Sequence, residues 1–96
     1  MKLHLEFSPP FNEVTKTLFE TFQFEKDLSL ADLIKFFEQK YGETFSDLVW
    51  EKGNKEVFSK FLSIIINGRI YQHDNFLETI LKDEDQIVFI YIYFGG

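Results

Sequence analysis

One stretch of this chain reads as a complete helix, and almost every other apolar run alternates like a strand. That imbalance constrains the fold more than any other feature. Ser29 is a good N-cap, with Asp32 three residues on in a capping-box-like position. Leu30, Leu33, Ile34, Phe37 and Tyr41 follow at helical spacing, with Phe36 beside the stripe. Lys40 sits in the last turn, where it complements the helix dipole, and Gly42 is a natural residue just past the end. The pattern predicts one main helix over about 29–41.

The runs around it read as strands. Leu3, Leu5 and Phe7 alternate with Lys2, His4 and Glu6, and Ser8-Pro9-Pro10 ends that run because two prolines cannot continue a ladder. Residues 18–25 form a second strand, joined to the first by a loop, which predicts a hairpin. Residues 43–60 are less regular. Phe45, Leu48, Val49 and Trp50 suggest a short helical turn, and 51–55 an exposed loop. Residues 61–66 form a third strand, with Ile64, Ile65 and Ile66 expected to be covered on both faces. Asn67-Gly68 is a two-residue hairpin turn, because both positions tolerate positive φ. Arg69, Ile70 and Tyr71 return from it. Residues 76–81 connect, 82–85 are a polar turn, and 86–94 form the last strand. This order describes an α+β fold, the β-grasp or ubiquitin-like roll: a mixed sheet of four or five strands on one main helix. It is expected to be a single domain over 1–96. A ferredoxin-like sandwich would need a second full helix within 43–60.

Composition closes several other routes. The 96 residues include no cysteine, which excludes disulfides, thiolate zinc sites and cysteine nucleophiles, and suits a cytoplasmic location. With 45% hydrophobic residues and 13 Phe, the chain can close a core without staples. No apolar run approaches the ~20 residues that span a bilayer, and the start does not read as a signal peptide, so no membrane role is expected. A net charge of −6 with one arginine, Arg69, makes nucleic acid a poor partner. His4 and His73 read as solvated, and Asp83-Glu84-Asp85 as a solvated turn rather than a cation site. No metal site, phosphate loop or triad is expected.

Three of the five glycines have structural work in a cap, a loop or a turn. Gly95 and Gly96 cap nothing. Side-chain-free residues can thread a narrow active site and present a terminal carboxylate as substrate. The last strand offers a second signal. One helix covers one sheet face, so the other face would display Val88, Ile90 and Ile92, or in the opposite register Phe89, Tyr91 and Tyr93. Exposed apolar patches of this kind usually mark a protein interface, the alternative being that loops or a dimer mate cover them. Ile65, Val88, Ile90 and Ile92 are the candidate partner surface.

In order along the chain, these segments resemble the sulfur-carrier branch of the β-grasp superfamily, which includes the small subunit of molybdopterin synthase and the thiamin sulfur carrier (MoaD and ThiS). Ser29-Leu30-Ala31-Asp32-Leu33-Ile34 resembles the family's Thr-Val-x-x-Leu-Leu helix start. Ile64 to Arg69 resembles its Val-x-Val-Asn-Gly strand and turn, and Leu81 to Ile87 its Leu-Lys-Asp-Gly-Asp-Glu-Val segment. Gly95-Gly96 resembles its tail. The chain differs in having Tyr91 and Ile92 where prolines are common, Phe94 where a small residue is usual, and Glu84 in place of a turn glycine. It is similar to the family as a divergent member.

The resemblance implies a carrier rather than an enzyme. An E1-like adenylyltransferase of the MoeB or ThiF type would consume ATP to adenylate the Gly96 carboxylate. A sulfur donor would convert it to a thiocarboxylate, for molybdopterin-type cofactor synthesis or tRNA thiolation. Gly95 and Phe94 would thread with it on a flexible tail. The accepting partner would be like the large subunit of molybdopterin synthase, or another sulfur-accepting enzyme. No permanently bound cofactor is implied. Two alternatives stay open: a modifier conjugated to target lysines through Gly96, and a β-grasp interaction module with an inert tail. The many strand aromatics raise homodimerisation when the partner is missing.

Overall fold

The computed structural model describes residues 1–51, 54–70 and 75–92. Strand β1 (Lys2–Phe7) turns Leu3, Leu5 and Phe7 inward, all at most 2% exposed. After the prolines, the predicted loop is instead a short helix, α1 (Phe11–Thr15), which buries Phe11 and Thr15. Strand β2 (Phe19–Gln23) then pairs antiparallel with β1, as the hairpin reading requires.

Helix α2 (Leu30–Tyr41) begins in a full capping box. The Asp32 N–H donates to Ser29 Oγ, the Ser29 N–H donates to the Asp32 carboxylate, and both distances are 3.1 Å. It ends at Gly42, whose φ of 83° is open to glycine at little cost. Leu30, Leu33, Ile34 and Phe37 are buried along one side. Helix α3 (Glu43–Val49) follows directly and buries Phe45 and Val49. Strands β3 (Trp50–Glu51) and β4 (Asn54–Phe58) form a small antiparallel ribbon where an exposed loop was expected. Its side chains give the reason: the Trp50 and Phe58 rings stack 4.9 Å apart, and Phe76 adds to them at 4.7 Å.

The main sheet is completed by β5 (Leu62–Ile66), β6 (Arg69–Ile70) and β7 (Asp85–Tyr91), with a 3₁₀ turn at Phe76–Glu78. Its order is β2-β1-β7-β5-β6, and β7 runs parallel to β1 and antiparallel to β5. This is a mixed five-stranded ubiquitin-like β-grasp. The seven residues of α3 do not make the second long helix of a ferredoxin-like sandwich. Between sheet and helices lies an aromatic core. Phe37 of α2 meets Phe7 of β1 at 5.4 Å, Phe45 of α3 at 5.5 Å and Phe89 of β7 at 5.9 Å, so one ring ties the layers together. Tyr71, Tyr93, Phe94, Gly95, Gly96 and His73 lie outside the described residues, and with them the tail and the end of the last strand.

Candidate functional site

Strand β7 has apolar residues on both sides, and its register settles which side faces out. Ile87 and Phe89 point into the core at 1% and 0% exposure, while Val88 and Ile90 lie half-buried on the opposite face. The alternative register, with Phe89 and Tyr91 outward, is therefore excluded. Tyr91 also turns inward at its tip, donating its hydroxyl to the Leu48 carbonyl of α3. Strand β5 shows the same division. Ile64 and Ile66 are buried in the core, whereas Ile65 is half-buried on the open face, so it is not covered on both faces as expected.

Sheet register brings these residues together. Val88 stands opposite Ile65, and Ile65 stands opposite Ile70 of β6. On the other side, Val88 stands opposite Glu6 of β1, which stands opposite Phe19 of β2. The result is one row across the open face: Phe19, Glu6, Val88, Ile65, Ile70. Its ends are its most exposed members, Phe19 at 70% and Ile70 at 54%. Ile90 stands one pair further along β7, opposite Ser63. Ile92 follows the strand half-buried, and its N–H donates to the Phe61 carbonyl at 2.8 Å.

Of the four predicted surface residues, the structure joins Ile65 and Val88 directly and places Ile90 on the same face. Ile92 lies just beyond the strand. Sequence reasoning missed Phe19 and Ile70. The signal for Phe19 was available, since its position has opposite parity to the inward-facing Phe22. Between β1, β2 and β7 lies a shallow depression of about 360 Å³, lined by His4, Glu6, Phe19, Thr21, Gln86 and Val88. His4 is not merely solvated: Nδ1 is 3.0 Å from Thr21 Oγ1 and Nε2 is 3.4 Å from the Glu84 carboxylate.

The polar turn before β7 holds the strand in place. Asp85 is 9% exposed, which corrects its reading as part of a solvated acidic triplet. Its carboxylate accepts from Asn67 Nδ2 and from the Lys82 N–H, both at 2.8 Å. Asn67 Oδ1 accepts from the Gln86 N–H at 2.9 Å, so the hairpin turn after β5 is bolted to the start of β7. Asp83 accepts from the Lys2 N–H at 2.7 Å, and the Glu84 N–H donates to the Lys2 carbonyl at 2.7 Å. These carboxylates are occupied by structure. Among the described residues, no cluster of three His, Cys, Asp or Glu could hold a metal. No helix among them is long and apolar enough to cross a membrane.

This open face sits at the root of the segment that leads from β7 to Gly95-Gly96. Among the described residues its one imidazole–hydroxyl pair is His4 with Thr21, in the shallow depression; the rest of the face, through Val88, Ile65 and Ile70, is an apolar contact area.

The sequence profile of the ThiS family matches residues 10–96. No curated protein sequence matches the chain. The solution structure of small archaeal modifier protein 1 from Methanosarcina acetivorans is similar, with a TM-score of 0.76, 24% identity, and coverage of 99% of this chain and 96% of that one. Urm1 from Trypanosoma brucei superposes with a TM-score of 0.73 at 15% identity, covering 99% and 95%. A chain of the BexX/CysO complex of Amycolatopsis orientalis gives 0.69 at 16% identity, covering 98% and 99%.

Proposed function

The chain belongs to the ThiS family, and on that premise we propose that it is a sulfur carrier whose reactive group is the Gly96 carboxylate. One observation carries the reading: the family match runs through Gly95-Gly96, on a fold whose last central strand leads toward them beside an apolar open face.

The chemistry divides between two proteins. A carboxylate is a poor electrophile. An E1-like adenylyltransferase of the MoeB or ThiF type removes that barrier: a Gly96 oxygen attacks the α-phosphorus of ATP and pyrophosphate leaves. The resulting mixed anhydride has AMP as a good leaving group. A sulfur nucleophile then attacks the acyl carbon, AMP departs, and a thiocarboxylate remains. Bulk at either glycine would block threading and the in-line approach. The carrier contributes the tail and a docking face formed by Val88, Ile65, Ile70 and Ile90, and the catalytic groups belong to the partner. ATP is consumed there. The sulfur goes to a molybdopterin-type cofactor precursor through a large-subunit-like enzyme, or to a tRNA base. That a similarly folded chain occurs in the BexX/CysO complex supports docking of a partner enzyme.

A second reading is favoured by the likeness to an archaeal modifier protein: conjugation of the same activated Gly96 to target lysines. Both share the activation step. Intact-mass measurement after incubation with a native extract, ATP and a sulfur source tests them. Exchange of one oxygen for sulfur on Gly96, absent in a Gly96 deletion, is the expected result. Lysine-linked adducts of higher mass select the modifier reading. Unmodified protein, in an extract that converts a known carrier, rejects both.

A further inference from the structure

Strand β2 is one edge of the main sheet. Its pairing with β1 follows a strict alternation. Met1 and Phe24 exchange hydrogen bonds at 2.7 and 2.8 Å, and the Phe7 N–H donates to the Leu18 carbonyl at 2.7 Å. By that alternation, the even-numbered residues of β2 spend their backbone groups on β1. The N–H and C=O groups of Phe19, Thr21 and Gln23 point away from the sheet. Only the Phe19 carbonyl has a local partner among the described residues, the Thr17 hydroxyl at 2.9 Å.

Proteins blunt such edges with proline, lysine, a bulge or a very short strand. The opposite edge, β6, is two residues long. β2 runs five residues in unbroken register without proline, lysine or a bulge, and the one edge-blunting device it carries is the charge of Glu20, opposite inward-facing Leu5. Two exposed apolar side chains stand at its start, Leu18 just before it at 49% and Phe19 within it at 70%.

We propose that the β2 edge is a self-association edge, at which two copies pair antiparallel about a two-fold axis through Thr21. The three outward residues are symmetric about Thr21, so an isologous match follows from the register alone. Thr21 would pair with its twin, a favourable cross-strand match, and Phe19 with the second copy's Gln23. On the other face, exposed Leu18 would meet the second copy's half-buried Phe24. One term opposes. Glu20 would lie diagonal to its twin, and each copy carries a charge of −6. Salt screens that repulsion, so association should strengthen with ionic strength. The contact is small, which places it among transient interfaces. It shares Phe19 with the end of the open-face row but not the docking residues of the carrier reading, since β1 and β7 lie between β2 and Ile65.

Sedimentation equilibrium of the full chain, from micromolar to near-millimolar concentration at low and high salt, tests the proposal. The average mass should rise toward twice the monomer, more so at high salt. Thr21→Pro deletes an outward donor that β1 does not use, and edge strands tolerate proline there. It should weaken association at least about tenfold while thermal unfolding stays cooperative. Thr21→Val keeps the N–H and should associate like the natural protein. If Thr21→Pro fails to fold, the L18K/F19K double variant makes the same test through side chains alone and should also weaken association. A natural protein that stays monomeric throughout, folded edge variants that associate unchanged, or an association dissolved by salt would each overturn the proposal.

Discussion

Three single residues carry consequences that can be measured. Ser29 caps α2 through Oγ, and its loss leaves the Asp32 N–H without that partner. Ser29→Ala should cost about 1 kcal/mol in denaturant unfolding. The reciprocal half of the capping box, from the Ser29 N–H to the Asp32 carboxylate, has a pH signature. The Ser29 backbone N–H, and then its side chain, hold the Asp32 carboxyl below its ordinary value of 3.8. A depressed carboxylate stabilises the fold above its unfolded pKa, and that contribution fades as pH falls through the folded value. Ser29→Ala keeps that backbone N–H and removes only the smaller side-chain share, so its penalty should shrink slightly in acid, read from unfolding curves at pH 7 and well below the ordinary carboxyl value of 3.8.

Tyr41 is the reverse case, since its buried hydroxyl has no hydrogen-bond partner among the described residues. Burial first, and then the charge of Glu20, push its pKa above 10.0. A raised phenol favours the fold below its unfolded pKa and loses that contribution as pH rises. Tyr41→Phe should be neutral or stabilising by up to about 1 kcal/mol, and should flatten the alkaline limb of the stability profile. Glu84 holds a φ of 70° in the turn before β7, where a side chain is strained. Glu84→Gly should raise stability by up to about 1 kcal/mol, offset in part by losing the His4 contact and by glycine's unfolded-state entropy. Thermal unfolding of the two chains decides the sign.

At the scale of elements, the informative pair is β5 and β7. Both carry apolar residues on both faces, so alternation alone could not choose an outward side. Their hydrogen-bonded register makes the choice, and it sets Ile65 beside Val88. Ile65→Gln keeps the size of the side chain but removes its apolar contact. It should slow ATP-dependent activation by the partner enzyme about tenfold or more, while the unfolding midpoint moves by only a few degrees. A normal activation rate would place docking elsewhere. The missed elements were short. Helix α1 has five residues, too few to display a helical period, and β3 has two, too few to display alternation. The ribbon's stabilising contact joins Trp50 and Phe58 to Phe76, which lies well beyond them along the chain.

For the whole molecule, Phe37 is the joint. It reaches β1, β7, α3 and, at 5.3 Å, Phe22 of β2. Phe37→Ala would leave a cavity against every layer at once. It should cost about 3–5 kcal/mol, enough to remove most of the stability of a domain this size. Loss of cooperative thermal unfolding is the expected readout.

The sequence by itself determined whatever depends on neighbours a few residues apart. The caps of α2 follow from Ser29, Asp32 and Gly42, the hairpin turn from Asn67-Gly68, and the inward face of β1 from strict alternation. The order of those elements was enough for the β-grasp, and the Gly95-Gly96 pair for the family resemblance. Only the tertiary structure decided what depends on residues brought together from afar. It buried Asp85 by setting it against Asn67 and put His4 beside Glu84. It also aligned Phe19, Glu6, Val88, Ile65 and Ile70 into one row. The reason is that local signals fix conformation one segment at a time, whereas this sheet face is shared by five strands. Which side chains meet on it is set by register between strands, and register is fixed when the whole core closes.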